Sequence, residues 1–234
     1  MRTMLVPDVH ECYDQLLAIT PRMADVDKVI MLGDYWDTYD PVKRVEEVAE
    51  WVLERLDDPK FDFKLGNHDC HYAFNHGGFA CSGYSSVTKA MLDRMLTAND
   101  WRKFKLWTKV GPYLVSHAGF HEGNLEFVDK PEGQTEAIEL AIAGKFHPIF
   151  GAGYVRGGRQ PVGGCTWLDW NEEFQHIPGV PQIVGHTFDR KHTVRTKTML
   201  GHNDQSYCLD TGLNHIMIVE TEGESLITTE IIPV

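Results

Sequence analysis

The stretch Lys64-Leu65-Gly66-Asn67-His68-Asp69 decides how the rest of the chain is read. An apolar run (Phe61, Phe63, Leu65) ends abruptly in a glycine. An amide, an imidazole and a carboxylate then follow in a row. This predicts a strand, a turn, and then chemistry. Four other segments share the pattern. Met4-Leu5-Val6-Pro7-Asp8-Val9-His10 ends in Asp-x-His, and Val29-Ile30-Met31-Leu32-Gly33-Asp34 ends in Gly-Asp. Tyr113-Leu114-Val115-Ser116-His117 and Gln182-Ile183-Val184-Gly185-His186 each end in histidine. Each of these strand-like runs delivers a metal-competent side chain at its C-terminal end.

The elements around them alternate. Residues 2–7, 28–32 and 61–65 read as strands, with helices expected over 11–19 and from Asp40-Pro41 to Leu56. In the second helix Asp40 is the expected N-cap and Pro41 the first helical residue. Strand-helix-strand order favours a parallel sheet with covering helices. Residues 71–84 read as a loop, 85–96 as a helix, 104–110 with 113–116 as a hairpin, and 135–143 as a helix. A Gly-rich loop at 151–164 carries Arg156 and Arg159, and five short strands end the chain. Neither an internal repeat nor a low-complexity linker is visible, so residues 1–234 are expected to form one domain.

Composition narrows the function. At 234 residues the chain can bury a full core, and 42% hydrophobic content is that of a soluble globular protein. A net charge of -12 argues against a dedicated nucleic-acid binder. The odd set Cys12, Cys70, Cys81, Cys165 and Cys208 contains no CxxC pair, and is expected as reduced thiols in a cytoplasmic protein. No apolar run approaches a membrane span. The first strand is expected almost at Met1, leaving no room for a signal segment.

The ligand-capable residues at the strand ends are Asp8, His10, Asp34, Asn67, His117 and His186. They mix oxygen and nitrogen donors without thiolate, which suits Mn, Fe or Zn better than calcium. The C-terminal ends of parallel strands converge on one sheet edge. One cation cannot use six ligands and keep an open position, whereas two can share them, with Asp34 as the expected bridge. Two such metals clamp an in-line displacement at phosphorus, with a bridging hydroxide as nucleophile. The leaving alkoxide still needs a proton. His68, beside Asn67, is the candidate general acid, and Asp37 the carboxylate that orients it.

The ordered set Asp8-x-His10, Gly33-Asp34-x-x-Asp37, Gly66-Asn67-His68-Asp69, His117-Ala118-Gly119 and Gly185-His186 resembles the calcineurin-like metallophosphoesterase superfamily. Ser116-His117-Ala118-Gly119, the lone His186 followed by Phe188, and Leu209-Asp210-Thr211-Gly212 point to its phosphoprotein-phosphatase branch. That branch includes Ser/Thr phosphatases and symmetrical diadenosine-tetraphosphate hydrolases. The resemblance implies an α/β fold, a four-layer α-β-β-α sandwich of two mixed sheets with flanking helices. It implies Asp8, His10 and Asp34 on one metal, and Asp34, Asn67, His117 and His186 on the other, most simply manganese. It also implies His68 with Asp37 as the acid pair.

Three positions depart from the family pattern. Pro7 and Glu11 stand where glycines usually flank the first motif, and Glu11 adds negative charge near the site. Thr38 replaces the arginine that usually follows the second aspartate of motif two and grips phosphate. Arg156 and Arg159 are the candidates to take that place. The expected activity is hydrolysis of phosphate monoesters, phosphoprotein or small molecule. A phosphodiesterase or dinucleoside polyphosphate hydrolase on the same centre is the alternative, with a non-catalytic binding module behind both. A phosphorylated substrate is the expected partner, with neither nucleic acid nor membrane.

Overall fold

The computed structural model describes residues 1–38, 40–130 and 132–234. It contains two mixed five-stranded sheets with flanking helices. The first sheet is built on β1 (Arg2–Val6), β2 (Lys28–Met31) and β3 (Phe61–Phe63), paired in parallel. Helix α1 (Tyr13–Ile19) connects β1 to β2, and α2 (Val45–Leu53) connects β2 to β3. Helix α3 (Asn67–Ala73) follows β3 at once, and then come α4 (Ser86–Met95) and α5 (Ala98–Trp101).

The hairpin β4 (Trp107–Val110) and β5 (Tyr113–Ser116) opens the second sheet. After α6 (Gly133–Ile142), β6 (Gln182–Val184) pairs parallel to β5. Strand β7 (Arg195–Lys197) is an antiparallel edge on β8 (Ser206–Cys208), which runs parallel to β6. The chain returns to the first sheet with β9 (His215–Glu222), antiparallel to β1, and β10 (Ser225–Pro233) on its outside. The resulting orders are β10-β9-β1-β2-β3 and β4-β5-β6-β8-β7.

Alternation along the strands divides the core. Leu5 and Ile30 cluster with Val115 and Ile183 of the other sheet. Their neighbours Met4, Val6, Val29 and Met31 point to the opposite face, where Leu16, Ile19, Val48 and Val52 of α1 and α2 cover them. All of these side chains are buried. On the second sheet Val184 and Cys208 pack against Leu168, Trp170 and Phe174 of an irregular stretch. Asp62 and Lys64 form an ion pair of 2.7 Å with both side chains buried, and half-exposed Lys105 closes on Asp62 at 3.1 Å.

Two expectations need correction. Helix α2 begins at Val45 rather than Pro41. Asp40 accepts the Val42 N–H in a local turn, while the backbone N–H of Arg44 is taken by Glu11 Oε2 at 2.6 Å. A carboxylate 33 residues upstream therefore stabilises the helix start. The second correction concerns α3. Asn67, His68 and Asp69 form the first turn of a helix, and His71–Ala73 belong to it rather than to a loop.

Candidate metal centre and acid site

All the parallel strands aim their C-terminal ends at one region. Beyond β1 lie Asp8 and His10, and beyond β2 Asp34 and Asp37. Asn67 and His68 follow β3, His117 follows β5, His186 follows β6, and Asp210 follows β8. The turns that bring them together are strained. His10, Glu11, Asp34, Asp37 and His186 have φ of 43°, 60°, 50°, 69° and 66°, a region L-residues seldom occupy. Such strain collects at functional sites.

Asp34 sits at the centre. Its Oδ2 lies 3.7 Å from His10 Nε2 and 3.3 Å from His117 Nε2, and its Oδ1 accepts the backbone N–H of His68 at 2.8 Å. Asp69 holds it there by accepting the N–H groups of Asp34, Tyr35 and Gly66 at 2.8, 2.9 and 2.7 Å. Close packing requires glycine nearby. A Cβ on Gly66 would lie 2.1 Å from Asp34 Oδ1, and one on Gly185 2.0 Å from Asp8 Oδ1.

Two of the histidines have Nδ1 fixed by a backbone carbonyl. His117 Nδ1 contacts the Leu32 carbonyl at 2.8 Å and His10 Nδ1 the Trp36 carbonyl at 3.0 Å. An Nδ1–H donated to a carbonyl leaves the Nε2 lone pair free for a cation. His117 Nε2 also lies 3.2 Å from Asn67 Oδ1 and 3.2 Å from His186 Nδ1. Asp8 is buried and receives the His186 backbone N–H at 3.0 Å.

Divalent cations fit these residues. His186 Nε2 is buried with no hydrogen-bond partner. Burial, and then the charge on His117, keeps that ring's pKa well below the usual histidine value, so its lone pair is available. Burial and the charge of Asp210 push the Asp8 carboxyl well above the usual carboxylate range. Burial also opposes ionisation of Asp34, but His117 and His68 hold its carboxyl well below that range. The close-set groups His10–Asp34–His68 and Asp34–His117–His186 could each hold a cation, and they share Asp34.

His68 and Asp37 are paired. His68 Nδ1 is 2.9 Å from Asp37 Oδ2. Burial works against the imidazolium, but the charge of Asp34 and the bond to Asp37 push the His68 pKa up to about 12. Asp37 also accepts the Tyr72 hydroxyl and lies 2.7 Å from His71 Nε2. Burial disfavours its charge, but these neighbours bring its pKa down to about 2. The sequence places His71 in a loop near the substrate and does not announce that it and Tyr72 meet Asp37. Their spacing from His68 becomes informative only once 67–73 is known to be helical, because i, i+3 and i+4 then share a face.

A cavity of about 700 Å3 opens over the site. His10, Asp34, Asn67 and His68 form its floor, and Val155, Trp167 and Phe188 are among its walls. Arg156 lines it too, held by Asp169 at 2.7 Å and Thr187 at 3.0 Å. Arg159 is exposed and does not line this cavity. Glu11 is not free in the pocket. It accepts the N–H groups of Asp37 and Thr38 at 3.1 and 3.3 Å as well as that of Arg44, and so fixes the loop that carries Asp37.

A family model described as calcineurin-like phosphoesterase matches residues 1–195. A symmetrical bis(5'-nucleosyl)-tetraphosphatase of Hamiltonella defensa is 27% identical over 164 residues, 64% of this chain and 55% of that protein. Its namesake in Psychromonas ingrahamii is 31% identical over 124 residues, 52% and 42% of the two chains. The chain thus spans about half the length of these relatives. Among solved structures, the cold-active protein-tyrosine phosphatase of a psychrophilic Shewanella superposes with a TM-score of 0.61 at 18% identity. The match covers 98% of this chain and 80% of that one, a likeness of fold.

Proposed function

The chain belongs to the calcineurin-like phosphoesterase family, and from that premise we propose that it hydrolyses phosphate monoesters at a dinuclear metal centre. The observation that carries this reading is Asp34, whose Oδ2 lies between His10 and His117 and which belongs to both close-set ligand groups. In this reading Asp8, His10 and Asp34 hold one cation, and Asp34, Asn67, His117 and His186 the other. The oxygen and nitrogen donors suit manganese. Bound cations would supply a hydroxide nucleophile at neutral pH and neutralise charge on the phosphate oxygens.

The chain's own residues do the rest. Arg156 grips the phosphate where relatives of the phosphoprotein branch use the arginine that Thr38 replaces. His68, with Nδ1 fixed on Asp37, turns Nε2–H to the leaving-group oxygen and gives up that proton as the P–O bond breaks. Asp37 keeps the ring oriented and stabilises its charged form before transfer. Val155, Trp167 and Phe188 receive the organic part of the substrate and exclude water. Residues 1–234 act as one domain. Five unpaired thiols suit a reducing compartment such as the cytoplasm. No helix among the described residues is long and apolar enough to cross a membrane.

A second reading, hydrolysis of dinucleoside polyphosphates, is favoured by the tetraphosphatase relatives and by aromatic walls on a cavity of about 700 Å3. The test sets p-nitrophenyl phosphate, its bis-ester and diadenosine tetraphosphate side by side with manganese-loaded protein. The monoesterase reading predicts the highest kcat/KM on the monoester. A 100-fold preference for the tetraphosphate would replace it with the second reading.

A further inference from the structure

A second set of soft and nitrogen donors lies behind His68 and shares only that residue with the donor groups around Asp34. Cys81 Sγ is 3.1 Å from His71 Nδ1 and 3.8 Å from His68 Nδ1. One ligand atom from each of the three residues lies within 4.8 Å of the others. Zinc binds thiolate at about 2.3 Å and imidazole at 2.0–2.1 Å, so a tetrahedral centre puts sulfur and nitrogen about 3.6 Å apart. The two observed separations bracket that value. A structural zinc histidine also needs its second ring nitrogen held by a carboxylate or carbonyl. The second ring nitrogen of His71, Nε2, lies 2.7 Å from Asp37 Oδ2. Both imidazoles are buried, whereas Cys81 is only half-buried and Ser82 beside it lines the main cavity, so an ion has a way in.

We propose that Cys81, His71 and His68 form a third metal site, selective for a thiophilic divalent cation of the zinc class, and that filling it inhibits the enzyme. Binding forms one metal–sulfur and two metal–nitrogen bonds, and the protons of the thiol and of the two ring nitrogens that take the metal pass to solvent. The Nδ1 of His68 then carries the metal and no longer a proton shared with Asp37. The ring loses its orienting carboxylate, and the leaving group loses its acid. The three-donor arrangement leaves a fourth position for water. The binding claim is independent of the catalytic reading, and only the inhibition rests on it.

Cobalt(II) is the probe for binding, because a thiolate ligand gives it a charge-transfer absorption in the near ultraviolet. Manganese-loaded protein is titrated with cobalt as the wild type, Cys81→Ser, Cys12→Ser and His71→Gln, with circular dichroism confirming each fold. The wild type and Cys12→Ser should gain the band at one cobalt per chain, and zinc should bleach it. Cys81→Ser should lack the band, and His71→Gln should need at least 10-fold more cobalt. No band in the wild type at saturating cobalt, or an equal band in Cys81→Ser, overturns the site. Inhibition is read on the same samples with p-nitrobenzyl phosphate, an alkyl ester whose leaving group needs the acid. Zinc should inhibit the wild type at the concentration that bleaches cobalt, and Cys81→Ser should need at least 10-fold more. An unshifted midpoint, with the band confirmed, would place inhibition at the dinuclear centre and overturn the regulatory half alone.

Discussion

Replacing His68 with alanine tests the acid role most sharply when the leaving group is varied. His68 is buried with Nδ1 2.9 Å from Asp37 Oδ2, and it lines the main cavity. A positioned acid contributes about 10²–10⁴-fold, so its loss costs about 3–5 kcal/mol of transition-state stabilisation. An alkyl phosphate should suffer that full loss. A p-nitrophenyl leaving group departs without protonation, and its kcat should fall by less than about 10-fold. Asp37 acts through the ring, so Asp37→Asn should slow the alkyl substrate by a large part of the same factor. In a His68→Ala background the same change should add little, because the group it positions is gone. The assay is steady-state hydrolysis of p-nitrobenzyl and p-nitrophenyl phosphates by the two single variants and the double one. Equal losses on both substrates would refute the acid role. Additive losses in the double variant would refute the view that Asp37 works through His68.

Lys64→Met should destabilise the protein by about 3 kcal/mol at pH 7, since it strips buried Asp62 of its nearest partner while Lys105 remains. Burial, partly offset by Asp62, brings the Lys64 pKa from 10.5 down to about 8. Between about pH 8 and 10.5 the unfolded chain therefore holds a proton that the folded chain releases. Wild-type stability should rise across that window as pH rises, and the variant should lack the rise in urea titrations. Glu11→Gln leaves one of the three N–H groups that Glu11 holds without its acceptor and should lower stability by about 1 kcal/mol, read as an earlier urea midpoint. Gly185→Ala drives a methyl into Asp8 and should reduce bound metal from two ions per chain toward one, measured by atomic emission.

The central parallel strands are legible in the sequence because they are short, continuous apolar runs buried on both faces, as at Val29-Ile30-Met31. The convergence of Asp34, Asn67, His117 and His186 followed from the same fact, since polar residues just after parallel strands meet at one edge. Helix α3 was not legible. Its residues Asn67-His68-Asp69-Cys70-His71-Tyr72-Ala73 carry no apolar stripe, because six of the seven are buried and their polar groups face the site. Missing that helix hid His71 and Tyr72, and with them the contact to Cys81. The start of α2 is hidden for another reason. Asp40-Pro41 is a sound local signal, but Glu11 supplies the acceptor from a distant segment. Sequence proximity also could not separate Arg156 from Arg159, because loop geometry alone brings Arg156 to Asp169 and Thr187.

In the proposed function Asp34 joins two cations in one hydrolytic site. Protein stripped by chelator and refilled with manganese is assayed beside Asp34→Asn, with metal content and p-nitrophenyl phosphate turnover measured on the same samples. The wild type should hold two manganese ions per chain with restored turnover, and Asp34→Asn fewer than two ions with at least a 100-fold loss. Full turnover in the stripped protein, or two ions and undiminished activity in Asp34→Asn, would contradict it.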